Sequence, residues 1–356
     1  MRIGVFCPNW VGDAVMSIPF FNELRKIHKN SIIFAISKSW VSPIYYNNPD
    51  ISEIISFDKK DLSGLRSTKN TGLSLKALDL DIFYLLSDSF RSAYIAKKSE
   101  APIVIGYPGQ GRTQMLTKVI RRKKNKDHRT NYYLNLLINE ESSLKTQDSL
   151  GIIISPNEKI WAQTELSKLN IVDPIAFFPF SIAKSRSIPE SKTLELLKMA
   201  KKNIIIFGGK TDMESSEKIV SKLHNSNIYS LAGQYDLRKS IALISQCDGA
   251  IASDSGLGHI SANIGIPTVS IFGAGDPFIT RPIGLKTTYL NENVYLITLV
   301  LMLGVIMTSY IKNKIQNSKL LNVIFINIGD TVLIALIFYL TFIFLRPINQ
   351  FIYFQF

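Results

Sequence analysis

The chain has 356 residues, more than one hydrophobic core usually organises, so two domains are expected. Its 46% hydrophobic and 19% charged content describes a globular chain shifted slightly toward the membrane class. A formal net charge of +13 favours anionic partners such as nucleic acid, anionic lipid or phosphorylated substrates, while two cysteines and four scattered histidines exclude a disulfide framework or a zinc cluster.

Residues 1–6 carry no signal-peptide pattern, so the portion up to about residue 290 is expected to be cytoplasmic. The run 3–7 predicts a buried strand and 14–27 an amphipathic helix. Between them lies Pro8-Asn9-Trp10-Val11-Gly12-Asp13-Ala14-Val15-Met16, at the position where open parallel sheets form a ligand crevice. Gly12 would let the backbone approach a ligand closely, and Asp13 falls at the helix start. Position alone favours a helix cap over a catalytic carboxylate. The loop has neither the glycine triplet of a dinucleotide fold nor a Walker lysine. Strands follow at 31–36, 51–57 and 82–86, a helix at 88–96 and a short strand at 104–106. This alternation predicts a parallel α/β sheet. The basic run 121–126 reads as a solvated loop or helix end. The polar stretch 140–149 then marks a domain boundary ahead of a helix at 158–169.

The second half repeats the pattern, with strands at 175–180, 203–207, 228–231, 249–252 and 268–272 and helices at 191–201, 214–223 and 237–247. Two successive βα arrays predict two Rossmann-like domains facing a central cleft: residues 1–155 and 156–290. Four turns after strands suit phosphate. Ser253-Asp254-Ser255-Gly256-Leu257-Gly258-His259 precedes a helix, so its amides and the helix dipole favour an anion. Lys184 and Arg186 stand among hydroxyls in 180–189, where a guanidinium can grip a phosphate through two donors. Glycine-bearing turns at 207–212 and 272–277 complete the set. Together they describe a nucleotide-diphosphate site opposite one carboxylate.

From residue 291 the chain changes character. Residues 294–311 are uncharged and apolar, and 320–345 carry Asp330 as their single charge, each run long enough to span a bilayer. Three readings of 291–356 stay open: a membrane hairpin, a frameshift or fusion product that truncates the enzyme, or buried helices. Lys312, Lys314 and Lys319 between the runs weigh against a hairpin below a cytoplasmic domain.

These motifs resemble glycosyltransferase family 9, the ADP-heptose–lipopolysaccharide heptosyltransferases. The opening 8–17 looks most like heptosyltransferase II, the branch adding the second heptose. Ser89-Phe90-Arg91-Ser92-Ala93, Ile105-Gly106-Tyr107, Leu231-Ala232-Gly233, the 253–259 turn and Phe272-Gly273 match further signatures in order, over roughly residues 1–285. The resemblance implies a GT-B fold. It also implies inverting transfer of heptose from ADP-heptose to the lipopolysaccharide inner core, without cofactor or metal, at the inner-membrane face. It assigns Asp13 as general base and Lys184, Arg186 and the amides of Ser255, Gly256, Leu257 and Gly258 to the diphosphate. Asp254 and His259 would lie near the sugar and diphosphate, Glu214 near the ribose, and Gly12 and Arg91 on the cleft. Arg186 departs from the family's frequent lysine, and the resemblance stops after about Thr287. Two alternatives remain: a family 9 transferase using another nucleotide sugar, and an inactive membrane-associated scaffold. No nucleic-acid module is recognisable.

Overall fold

The computed structural model describes residues 1–122, 126–137, 151–223 and 225–291. The polar stretch 140–149 and the apolar runs of the tail, with the three readings of them, lie outside the described residues. Met1–Tyr289 form one compact unit. Among the described residues no helix is long and apolar enough to cross a membrane.

Two six-stranded sheets build this unit. The first contains β1 (Arg2–Phe6), β2 (Ile32–Lys38), β3 (Glu53–Phe57), β4 (Ile82–Leu85), β5 (Ile103–Gly106) and β6 (Lys118–Val119), in the order β3-β2-β1-β4-β5-β6, all paired parallel. The second contains β7 (Ile175–Phe178), β8 (Ile204–Ile206), β9 (Ile228–Ser230), β10 (Gly249–Ser253), β11 (Thr268–Phe272) and β12 (Thr287–Asn291), in the order β12-β11-β10-β7-β8-β9, parallel from β11 to β9. Both windings have the same form. The chain starts at the centre, winds out to one edge, returns, and winds out to the other. The strand order therefore reverses between β1 and β4 and again between β7 and β10, and ligands of such sheets bind at these reversals beyond the carboxyl ends of the strands.

Helices α1 (Val11–Met16), α2 (Ile18–Ile27), α3 (Gly64–Leu75), α4 (Phe90–Lys98) and α5 (Arg129–Leu134) accompany the first sheet. Helices α6 (Pro156–Lys168), α7 (Glu190–Lys198), α8 (Met213–Leu223), α9 (Leu237–Ile244), α10 (Gly256–Asn263) and α11 (Pro277–Thr280) accompany the second. With helices on both faces the strands are buried on both sides, which is why β1 after Arg2, and the whole of β4, carry no polar side chain but the Tyr84 hydroxyl. The largest core cluster joins Ile3, Val5, Phe20 and Tyr84 of the first half to Ile241 and Ile260 of the second. Arg238 of α9 adds a polar tie, donating to Glu158 of α6, to the Ile153 carbonyl and, at 3.2 Å, to the Pro43 carbonyl of the first half. That guanidinium holds the Glu158 carboxyl down at about 2.

Two expectations from the sequence are corrected. The helix expected over 14–27 is two helices, α1 and α2, broken at Ser17 because Pro19 lacks the N–H and its ring crowds the preceding turn. The helix expected from residue 88 begins at Phe90, with Ser89 as its cap accepting from the Ser92 amide at 3.1 Å, so Asp88 stays in the loop. The basic run is an exposed loop at its described residues, as expected, and it also makes ion pairs. Arg122 pairs with Asp88 at 3.1 Å and Lys126 with Asp276 at 2.9 Å, although 123–125 lie outside the described residues.

Asp88 is held from below by Arg112, whose side chain is 0% exposed and pairs with it at 3.0 Å. Arg112 also donates to the Tyr107 carbonyl at 2.8 Å and to the Ser87 carbonyl. One buried guanidinium thus pins the loop after β4 to the loop after β5. Arg112→Met is expected to cost about 3 kcal/mol, because two buried carbonyls and a carboxylate lose their donor together. Urea unfolding checks this, with the midpoint falling and the slope unchanged.

Candidate active site

The loop after β1 and the loop after β10 meet. A Cβ on Gly256 would stand 2.9 Å from the Val11 Cβ, and one on Gly12 would stand 2.9 Å from the His259 Cδ2. A Cβ on Gly258 would come within 2.8 Å of the Ala252 Cβ. The sequence suggests Gly12 for close approach to a ligand, and Gly256 and Gly258 for exposing amides to an anion. In the fold Gly12 and Gly256 also let α1 and α10 abut, which brings the two strand-order reversals together, while Gly258 lets α10 lie close on β10.

Asp13 does not cap α1. Trp10 is the N-cap, without a side-chain cap bond, and Asp13 is the third residue of the helix. Its carboxylate turns toward α5 instead. Arg129 Nε lies 3.8 Å from Asp13 Oδ1, and the hydroxyl of the buried Tyr133 favours the ionised form of the same carboxylate. Burial raises the carboxyl above its ordinary range, while the charge of Arg129, the Tyr133 hydroxyl and the charge of Arg186 pull it back. A carboxylate so placed is a stronger base than a surface one and still reaches the cleft, since its side chain is 27% exposed.

Across the cleft Arg186 Nη1 lies 3.5 Å from Oδ2 of the buried Asp254. Ser181 Oγ donates to the Asp254 carbonyl at 3.1 Å, and Ser187 Oγ accepts from the Ser181 amide at 2.9 Å, so the turn carrying Arg186 is fastened to the turn before α10. Burial raises the Asp254 carboxyl and Arg186 opposes that rise. Ser255 is the N-cap of α10 but makes no side-chain cap bond. Its Oγ, Asp254 Oδ2 and His259 Nδ1 are buried without a hydrogen-bond partner among the described residues. Burial, with the charges of His128 and Arg186, pushes His259 down to about 3, so its imidazole is neutral. The unpartnered Ser255 hydroxyl and His259 ring beside a helix N-terminus and a guanidinium suit a polyoxyanion, whereas the Asp254 carboxylate oxygen can only accept and suits a hydroxyl.

The remaining expected residues are more dispersed. Leu257 packs against the cores of both halves, which leaves its amide as its contribution to the turn. Lys184 is exposed in the turn that carries Arg186. Glu214 is exposed in the first turn of α8, at the same carboxyl edge of the second sheet. Arg91 lines a separate pocket of about 490 Å³ with Asn9, Lys38, Leu65, Phe90 and Tyr94, beyond the carboxyl ends of β1, β2 and β4. Burial and the charge of Arg91 lower Lys38 there. Asp79-Leu80-Asp81 has an Asp-x-Asp spacing, but it precedes β4 at the edge away from the cleft, where Asp81 accepts from the Arg2 amide at 2.7 Å. Among the described residues no three His, Cys, Asp or Glu side chains gather as a metal group. Sequence reasoning missed Arg129, Tyr133 and Lys38. The four-residue spacing of Arg129 and Tyr133 was the one signal available for the first two.

The profile of glycosyltransferase family 9 (heptosyltransferase) matches residues 70–296. The chain belongs to that family. It is a glycosyltransferase, similar over 80% of its length to lipopolysaccharide heptosyltransferase 2 of Escherichia coli K12, at 25% identity and covering 86% of that protein. It is 28% identical to lipooligosaccharide heptosyltransferase 2 of Haemophilus ducreyi over 82% of this chain and 88% of that one. The fold is that of E. coli ADP-heptose lps heptosyltransferase II (TM-score 0.70, 24% identity, 82% of this chain and 90% of that one). It is also that of a family 9 glycosyl transferase from Veillonella parvula (TM-score 0.75, 24% identity, 82% and 86%). The transferase therefore has the expected α/β architecture of two parallel sheets, with its GT-B relatives' winding in each.

Proposed function

We propose that this glycosyltransferase moves heptose from ADP-heptose to the lipopolysaccharide inner core with inversion, using Asp13 as general base. The observation that carries this reading is the abutment of the loop and helix bearing Asp13 on the turn at 253–259, where a Cβ on Gly12 would stand 2.9 Å from the His259 Cδ2 and Asp254 lies 3.5 Å from Arg186. A base within electrostatic reach of a diphosphate-binding cation is what in-line displacement requires. The acceptor hydroxyl loses its proton to Asp13 as its oxygen attacks the anomeric carbon, and the C–O bond to ADP breaks with its electron pair on the diphosphate. Arg186, Lys184 and the amides of Ser255 to Gly258 meet that charge, so no metal or cofactor is called for. Asp254 and His259 face the sugar–diphosphate junction and Glu214 the ribose. In this reading residues 1–155 hold the acceptor, with Lys38 and Arg91 suited to its acidic groups, and residues 156–290 hold the donor. The basic chain works at the cytoplasmic face of the inner membrane, where the acceptor is embedded.

Incubation with ADP-heptose and a heptose-deficient core acceptor tests the proposal. The expected result is release of ADP and an acceptor heavier by one heptose. Transfer from a different nucleotide sugar, with none from ADP-heptose, would transfer the assignment to another donor. ADP-heptose binding without turnover of any acceptor would favour the scaffold alternative.

A further inference from the structure

Helix α5 is only six residues long, yet it presses its side chains against the base from the first half while being tied to the second half. Arg129 and Tyr133 stand one turn apart on it, and both reach Asp13. The Arg129 guanidinium also lies over the Tyr132 ring at 5.2 Å. Tyr132 is stacked on Tyr107 at 4.1 Å and donates its hydroxyl to Asp88 Oδ2 at 2.5 Å. Asp88 is in turn fixed by the buried Arg112. Arg129 Nε is buried and lacks a hydrogen-bond partner among the described residues, so the Asp13 carboxylate is its nearest anion in the site. The helix cap has a role too. His128 Nδ1 accepts from the Thr130 amide at 3.2 Å, which leaves Nε2 to donate to the Arg281 carbonyl of the second half at 2.9 Å.

We propose that Arg129 and Tyr133 are positioning residues that hold the Asp13 carboxylate as an anion aimed into the cleft. The inference rests on Asp13 being the base. The groups facing Asp13 can be taken element by element. From α5 come the Arg129 cation and the Tyr133 hydroxyl. From the turn after β7 comes the Arg186 cation. From α10 comes the neutral His259 ring against Gly12. In the turn at Ser42–Tyr45, Tyr45 is engaged with Ser17 at 2.9 Å. On α2, Glu23 is paired with Lys26 at 2.6 Å. Asp88 acts on Tyr133 from the far side. Against the desolvation of Asp13 the favourable terms are thus two cations and one hydroxyl, and α5 supplies two of the three.

The test follows kcat/KM for heptose transfer against pH, with ADP affinity measured alongside. Arg129 stabilises the ionised base, so its loss raises the Asp13 proton affinity and moves the acid limb to higher pH. In Arg129→Met that limb is expected to rise by about one unit or more, in Tyr133→Phe by less, and in Arg129→Lys to return most of the way. ADP affinity should stay within about two-fold throughout, because among the described residues no ion pair or hydrogen bond joins Arg129 or Tyr133 to the donor turns, and the ion pair of Arg129 is with Asp13. A uniform loss of rate at every pH, with the limb unmoved, would make α5 a structural support and overturn the proposal. So would a loss of ADP affinity in Arg129→Met and Tyr133→Phe alike. Asp13→Asn separates the two levels. If it is inactive while the Arg129 series leaves the limb in place, only the positioning role fails. If it still turns over, the base assignment itself fails.

Discussion

Asp13→Asn is expected to lower the rate of heptose transfer by about 10³-fold, the middle of what a positioned general base contributes. Donor affinity should change little, since the atoms suited to the diphosphate lie on the turns at 181–187 and 253–259. The same substitution should raise the melting temperature at neutral pH. The sign follows from linkage. Burial outweighs the favourable partners and raises the Asp13 carboxyl in the folded protein above its unfolded value. The unfolded chain therefore ionises more readily, and above the unfolded pKa the charged carboxylate costs the fold stability. Asparagine keeps the shape and removes that cost. The gain should be present at pH 7 and disappear as the pH falls toward the unfolded value, where Asp13 is protonated in both states. Thermal melts of both proteins across pH, beside single-turnover rates, check the pair of effects. A rate loss without a stability gain would mean that Asp13 is better compensated than its surroundings indicate.

The elements that were legible in the sequence are those governed by the parallel-sheet pattern. Ile3, Val5 and Phe6 form an apolar run too short for a helix, and the loop after such a strand is where a crevice must open. Pro8 to Asp13 could therefore be singled out before any fold was known. The same logic marked Ser253 to His259. Helix α3 escaped because GLRSTKNTGLSL buries mainly Thr68, Thr71, Gly72 and Leu75, which is no apolar stripe. Its contact with α4 depends on Gly72, where a Cβ would meet the Ile95 carbonyl at 2.8 Å. Helix α5 escaped for another reason. Its residues are mostly polar or aromatic, and they are fixed by partners distant in sequence: Asp13 for Arg129, Asp88 for Tyr132, and Arg281 for the capping His128. Periodicity reports burial against a smooth core. It carries no record of a polar side chain whose partner lies on another element. The break at Ser17 was visible as Pro19 but was outweighed by the apolar spacing on both sides of it.

Arg186→Ala is expected to reduce kcat by about 10²-fold, with Arg186→Lys falling between it and the native enzyme. Lysine keeps the charge but not the planar fork, and the intermediate rate would measure how much of the effect is geometric. The alanine variant should have two further consequences. Arg186 is one of the charges that keep Asp13 ionised, so its removal raises the base's proton affinity and moves the acid limb of kcat/KM to higher pH, in the same direction as the loss of Arg129. It also leaves Asp254 buried without its cation. Because Arg186 is 44% exposed, its pairing is partly screened, and the loss of stability should be on the order of 1 kcal/mol. Adding Asp254→Asn to Arg186→Ala removes the unpaired charge. The double variant should regain the stability of the native protein and none of its rate. That outcome divides the pair cleanly: Asp254 would set where Arg186 stands before the donor binds, and Arg186 would act on the departing diphosphate. If the double variant instead recovered turnover, the rate loss in Arg186→Ala would trace to the stranded carboxylate, and the diphosphate charge would have to be met by Lys184 and the α10 amides alone.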